Sequence, residues 1–467
     1  MDAAISSRFG RPAPLIPPAP KIHPTPLGVT PLGQLRVAWE MGRSLIGAYC
    51  EEDYESLAEP YVFMGQPGLF LNDPAGVRHV LTSPKYARPV KAARSLKPLV
   101  GEGVLMSEGE TWRRQRKSLA PVFTPAAIDG LLPHFVAAGA GLVEALDGQG
   151  RANLAQDFHR ATLDAVLRAL FSRRADREGA VLADLARRYM EGPAHFKLFD
   201  FMAKGADDLT FLDGDRRRMG ARWFKAVDAL IAERRTRPHP KVRDLLDRLL
   251  AARNEDGSPL PDQEIRDQCS SMLAAGFETT SRLLFWATYL LALDPATQDR
   301  VRAEVLAFPA QRVAGLDDLK HWPLLRSVLF ETLRLYPTAP LIARQALEAD
   351  TVLGCEVVPG CMVTISPWVI HRHRKLWEAP TAFRPERFID QPHPWGVEAF
   401  IPFGAGPRVC IGAGFALAEA QIVLASLLAR FKVSMASDRP VVPRASITLG
   451  PDHEPDFRLE RIVQARP

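Results

Sequence analysis

Phe403-Gly-Ala-Gly-Pro-Arg-Val-Cys-Ile-Gly412 decides the reading of this chain. Three glycines and a proline surround one cysteine, Cys410. The segment after Ile411 is periodic and apolar and predicts a helix to about Phe431. A cysteine just ahead of a helix meets unpaired backbone N–H groups and the positive end of the helix dipole, and both favour thiolate over thiol. Glycines let the backbone approach a bulky flat ligand closely. Arg408 adds a fixed positive charge nearby. On these residues alone, Cys410 is a thiolate that coordinates a metal or acts as a nucleophile. A buried structural cysteine in a Gly-rich turn is the bland alternative, and the whole pattern weighs against it.

Working outward, most of the chain reads as helix. The longest candidate runs from about Asp262 to Leu293, ~48 Å at 1.5 Å per residue, enough to cross a whole domain. Asp294-Pro295 offers an N-cap followed by Pro at the first helical position, opening a helix through about Ala307. A helix around Leu324–Leu335 must stop near Tyr336, because Pro337 disfavours the α conformation before it. Strands are fewer. Thr351-Val-Leu and Met362-Val-Thr-Ile-Ser flank Val358-Pro359-Gly360, which reads as a turn between paired strands. Ser446-Ile-Thr-Leu and Phe457-Arg-Leu read as a second, weaker hairpin. The fold class is mainly α with a minor β part.

The chain has 467 residues, long enough to bury a large core with room for a ligand. Its 47% hydrophobic and 24% charged residues exclude a disordered chain. A net charge of +5 gives no case for nucleic acid, although a local basic patch could dock an acidic partner. Cys50, Cys269, Cys355, Cys361 and Cys410 are widely spaced with no Cys-x-x-Cys pair, so a zinc ribbon or iron–sulfur cluster is not expected. The first residues lack a basic stretch followed by an apolar one, so no signal peptide is expected. The apolar run Leu283–Leu293 is too short to span a bilayer, so no membrane anchor is expected. Free thiols in a reducing cytoplasm are the simplest reading. Eight prolines between Pro12 and Pro31 favour extended structure that wraps or dangles. Residues 1–35 are read as a Pro-rich N-terminal segment and 36–467 as one domain.

The Cys410 stretch resembles the haem-binding signature of the cytochrome P450 family, Phe-Gly-x-Gly-x-Arg-x-Cys-x-Gly. The resemblance implies that family's fold, with a long central helix over the haem and small β-sheets, and haem b as cofactor. It makes Cys410 the axial ligand, with Phe403, Gly404, Arg408 and Gly412 around the cofactor. A thiolate ligand pushes electron density onto iron and favours O–O cleavage. A second motif agrees. Glu331-Thr-Leu-Arg334 sets an acid and a base on one helix face, and Phe383-Arg-Pro-Glu-Arg-Phe388 follows. The resemblance implies that Glu331, Arg334 and Arg387 form a structural charge cluster behind the haem.

The central helix carries Ala275-Gly276-Phe277-Glu278-Thr279-Thr280. A helix-interior Gly costs about 1 kcal/mol relative to Ala, so its use wants a reason. A threonine hydroxyl can bond the carbonyl four residues back and bend the helix. A small-residue contact between packed helices is the ordinary explanation. The resemblance instead implies an oxygen-binding groove at Ala275 and Gly276, with Glu278 and Thr279 as an acid–alcohol pair that relays protons. Trp112-Arg-Arg-Gln-Arg116 matches the family's Trp-x-x-x-Arg element. With Arg344 and Arg408, Trp112 and Arg116 would hold the haem propionates, for which arginine's bidentate fork is suited. Ala274, Ala275, Thr338, Ala339 and Ile447 would line the substrate pocket. The segment from about Val90 to Leu105 would form the loop over the haem. Residues around Tyr189–Leu212, with Phe196, Phe199, Phe201 and Phe211, would form an apolar roof. His371 and His373 read as hydrogen-bonded or surface groups, and Arg216–Arg218 and Arg234–Arg237 as solvated helix faces.

The implied function is a monooxygenase that inserts one atom of O₂ into a C–H or C=C bond of an apolar small molecule. Two electrons would come from a separate ferredoxin or flavodoxin with its NAD(P)H reductase, docking on a basic face at Arg113, Arg114 and Lys117. A soluble, cytoplasmic, bacterial-type monomer is expected. The alternative is a haem-thiolate sensor or a peroxide-driven enzyme. The intact Glu278–Thr279 pair argues against both: a sensor needs no proton relay, and a peroxide-driven enzyme would more naturally replace the pair.

Overall fold

The computed structural model describes residues 14–462 apart from 90–93, 176, 195–199, 201–204, 206–212, 240, 242–243, 255 and 390–397. Phe196, Phe199, Phe201 and Phe211 lie outside the described residues, as do most of the expected roof and the start of the expected loop over the haem.

The central helix spans Asp262–Leu293, as its pattern predicts. It is buried along almost its whole length and apolar on most sides, so neighbours must cover it all round. Those neighbours are the flanking helix Leu154–Phe171, the helix Pro323–Leu335 and the cysteine helix Ala413–Arg430. Asp294 caps the next helix, Pro295–Ala307, by accepting from Thr297 N. Pro323–Leu335 stops at Tyr336, ahead of Pro337. By length and composition Ala413–Arg430 could cross a membrane, but 67% of it is buried in the fold. It packs on Leu132–Leu146, where the rings of Phe135 and Phe415 meet edge to face at 4.7 Å.

The main sheet has five strands in the order Ala58–Phe63, Gln66–Leu71, Met362–Ile365, Ile342–Ala346, Tyr86–Ala87. Its antiparallel pairing of Arg344 with Val363 fixes the backbone of Arg344 in the sheet. Both predicted hairpins are re-paired. Asp350–Val352 pairs with Cys355–Val357, not with Met362–Ile365. The turn is Leu353-Gly354, with φ of +51° and +80°. Two positive φ values make the tight hairpin turn, and leucine at the first of them hides that turn from the sequence. Pro443–Ala445 pairs with Leu449–Pro451, so Ile447 sits in the tip, while Phe457–Arg461 pairs with Phe431–Met435 and Arg151–Ala152.

Two other expectations are refined. The proline-rich stretch, from residue 14, wraps against the body: Leu15 O accepts from Phe383 N and Pro18 O from the Tyr336 hydroxyl, both at 2.8 Å. The arginine clusters are not wholly solvated faces. Arg216 is fully buried among Asp200, Asp213 and Arg94, and Arg234 bonds Asp244 and Asp247. Their helix turns these two inward and leaves Arg217, Arg218, Arg235 and Arg237 exposed. All five cysteines are unpaired.

Candidate functional site

The loop before the cysteine helix is held by its own backbone. Gly404 N donates to Ile401 O and Cys410 N to Phe403 O, both at 3.0 Å. Gly406 has φ +69°, and a Cβ there would lie 2.5 Å from Leu81 O. Both the conformation and the space demand glycine. Cys410 is exposed by surface area, yet burial is the leading influence on its thiol. Both hold when a side chain faces an interior recess rather than bulk solvent. Burial pushes the thiol above its usual value, while Gly412 N–H and Arg116 pull it down. The expectation of a thiolate is therefore corrected for the free side chain: desolvation outweighs the helix end. A coordinated cation reverses this, because a coordinating thiol is deprotonated outright.

Four guanidinium groups interact around this recess: Arg88, Arg116, Arg344 and Arg408. Arg408 pairs with Glu108, donates to Ser107 O at 2.9 Å and lies 4.2 Å over the Trp112 ring. Among the described residues the other three make no ion pair, and Arg88 Nη1 is buried without a hydrogen-bond partner. Burial lowers all four from their usual value. Arg408 falls to about 10, through burial and then through Arg88 and Arg116, against the pull of Glu108. Four half-buried cations facing one carboxylate fit a ligand that brings two carboxylates of its own. A haem with its two propionates, set against Cys410, meets that demand. Trp112, Arg116, Arg344 and Arg408 were predicted. Arg88 was missed, and Tyr86-Ala-Arg-Pro89 gives no signal for it.

Behind this region Glu331 accepts from Arg334 Nε and Nη2, both at 2.7 Å, from Arg384 N at 2.8 Å, and from Arg387 Nε at 3.4 Å. Arg334 also donates to the carbonyls of His371, Pro380 and Ala382. His371 is a buried structural group that accepts from Ile401 N, and burial pushes its imidazole down to about 3.

On the central helix the Thr279 hydroxyl donates to Ala275 O at 2.8 Å and the Thr280 hydroxyl to Gly276 O at 3.1 Å. A Cβ at Gly276 would lie 3.1 Å from Val166 of the flanking helix, so close helix packing accounts for this glycine. The structure does not hydrogen-bond Glu278 to Thr279. Glu278 Oε1 accepts from Arg282 Nε at 3.0 Å and from the Thr448 hydroxyl at 3.2 Å, and Oε2 lies 2.5 Å from His159 Nε2. Burial opposes its charge, but Arg282 and then His159 hold the carboxyl well below the usual carboxylate range. Of the expected pocket residues, Ala274 and Thr338 are buried, Ala275 and Ile447 half-buried, and Ala339 exposed.

A helical fold crossed by one long buried helix, with a cysteine and a cluster of cations at the same recess, defines a protein that grips a flat dianionic cofactor through sulfur. The family model for cytochrome P450 matches residues 31–452, and the chain belongs to that family. It is 33% identical over 391 residues to a cytokinin hydroxylase of Arabidopsis thaliana, covering 79% of this chain and 74% of that protein. It is 31% identical over 407 residues to human cytochrome P450 4F12, covering 80% and 73%. It is 29% identical over 451 residues to mouse cytochrome P450 4V2, covering 88% and 84%. The chain is thus a cytochrome P450 monooxygenase, an oxidoreductase with the family's fold, whose cofactor is haem b held through a thiolate.

Proposed function

We propose that Cys410 is the thiolate ligand and that Arg88, Arg116, Arg344 and Arg408, with Trp112, hold the haem propionates. The unpaired cations beside Cys410 carry this reading. Bound there, haem supplies the iron at which O₂ is activated. Phe403, Gly404 and Gly412 shape the cysteine loop, and Gly276 lets the central helix lie close. Glu331, Arg334 and Arg387 fix the backbone behind it. Ala274, Ala275, Thr338, Ala339 and Ile447 face an apolar small-molecule substrate, which is hydroxylated or epoxidised. Hydroxylation has support from the relative named for it. Glu278 and Thr279 deliver protons. Electrons come from a separate acidic carrier, a ferredoxin or flavodoxin with its NAD(P)H reductase. The exposed Arg113, Arg114 and Lys117 support this, on the helix that brings Arg116 to Cys410. The unpaired thiols favour a cytoplasmic setting.

The test is the visible spectrum of the dithionite-reduced protein with carbon monoxide. The expected result is a strongly red-shifted Soret band that is lost in Cys410→Ala. A band typical of histidine-ligated haem, or no haem bound, overturns the reading.

A further inference from the structure

We infer that the fold carries a binding site for a small monovalent anion, a halide, in a cavity closed by the proline-rich strap and walled by Arg372, Tyr54 and Trp368. None of the residues around Cys410 lines this cavity, so the inference does not rest on the chemistry there. It gives a role to the arginine that stands between His371 and His373.

The charge of Arg372 carries the argument. The residue is only 5% exposed. Its Cζ lies 3.5 Å over the Trp368 ring and 5.8 Å from the centre of the Tyr336 ring. A guanidinium has five N–H donors. One goes to Leu335 O and one to Trp368 O, the latter at 3.4 Å. Among the described residues the others have no acceptor, and no carboxylate forms an ion pair with Arg372. Burial pushes the group down to about 9, and Arg334 acts in the same sense, against Tyr54, Tyr336 and Glu331. Aromatic faces attract a cation but do not neutralise it. Neither does water, so a buried cation of this kind is stabilised most by an anion.

The Tyr54 hydroxyl makes the same demand. It is buried and accepts from Trp368 Nε1 at 2.9 Å. Its own O–H finds no acceptor among the described residues. Arg372 and Tyr54 line one cavity of about 60 Å³. That volume is several times the ~10–15 Å³ that one water needs, so a small ion with its remaining waters fits. Lys21 and Arg374 also line it, and no acidic residue does. Arg374 is already paired with Glu51 and Glu55, whereas Lys21 makes no ion pair among the described residues. The buried charge still to be met is therefore one. A halide accepts from every direction, which suits donors arriving from different walls.

The strap gives the site its consequence. Residues Ala19 to Ile22 form one wall. The strap is otherwise held by Pro18 O, which accepts from the Tyr336 hydroxyl, and by His23 N, which donates to Tyr49 O at 3.1 Å. An anion between Arg372 and Tyr54 joins the strap to the segment whose carbonyl at His371 binds Arg334. A ligand that binds the folded chain and not the unfolded one stabilises it by mass action. Halide thus fastens the strap and the backbone beneath it.

Two measurements on the full-length holoenzyme test this. Replacing gluconate by chloride or bromide at constant ionic strength should raise the thermal midpoint by about 2–4 °C. The gain should vanish in Lys21→Glu, which brings a carboxylate of its own to the wall. It should shrink in Tyr54→Phe, which removes the donor and keeps the ring. Equal midpoints in all three salts overturn the proposal, as does a gain of full size in either variant. Crystals soaked in bromide should show an anomalous peak within hydrogen-bond distance of the Arg372 guanidinium and Tyr54 Oη. No peak there means water alone, and a peak without a shifted midpoint means binding at crystal concentration only; either result overturns the site. A gain with phosphate and none with halide would give the cavity to a larger oxyanion and overturn the halide.

Discussion

Arg88 shows charge and burial in open conflict. Its side chain is half-buried, Arg344 repels it, and its buried Nη1 has no partner among the described residues. A buried charge left in that state costs several kcal/mol unless a ligand satisfies it. Arg88→Leu should relieve that conflict in the haem-free protein and weaken the hold on haem. A charge-assisted bond contributes about 1.5–3 kcal/mol, so haem should leave roughly 10–100 times faster. Transfer to an apo-haem acceptor measures this rate, and an unchanged rate would remove Arg88 from the propionate set. Legibility follows the same line. Cys410, Arg408, Trp112 and Arg116 stand in short spaced patterns tied to local geometry, so the sequence displays them. Arg88 and His159 gain their meaning only from residues about 120 to 320 positions away, Arg408 and Arg344 in one case, Glu278 and Glu454 in the other. No local pattern encodes such distant partners.

Among the elements, Pro323–Leu335 is the one whose loss should be felt most widely. Its Arg334 satisfies Glu331 and closes three carbonyls from the segment His371–Ala382 in one side chain. Arg334→Ala leaves a fully buried carboxylate without its main partner, which costs about 3–5 kcal/mol. Arg387 is a lesser partner, at 3.4 Å, with its second bond to Ala379 O. Arg387→Ala should therefore cost about 1 kcal/mol. Denaturant unfolding of the two variants should separate them in that order, and equal losses would mean that the three residues share one indivisible site. The helices themselves were legible because each is bounded by a strong stop or start: Asp294 with Pro295, and Tyr336 ahead of Pro337. The hairpins were not. Their pairing is decided by turn conformation, and Leu353 takes a positive φ that leucine rarely adopts. A Leu353→Asn variant, suited to that conformation, should keep the turn.

On the scale of the whole molecule, the helix Gly109–Leu119 links the interior to the surface. Its Arg116 acts on Cys410 inside, while Arg113, Arg114 and Lys117 look outward. Their basic character is weaker than a count of arginines implies, since Arg113 pairs with Glu110 and Arg114 with Glu264 at 2.8 Å. Lys117 makes no ion pair among the described residues and should dominate steering of an acidic electron carrier. Steering by an exposed charge fades once the Debye length, about 10 Å at 0.1 M salt, shrinks below the encounter distance. Lys117→Glu should therefore slow bimolecular reduction by about 3–10-fold at low ionic strength, with the difference closing as salt is raised. Glu264→Gln should act in the opposite sense by freeing Arg114. Stopped-flow reduction of the CO-saturated protein across a salt series reads both. If neither variant departs from the parent at low salt, the carrier approaches by another face, and the charge on this helix serves only the cofactor within.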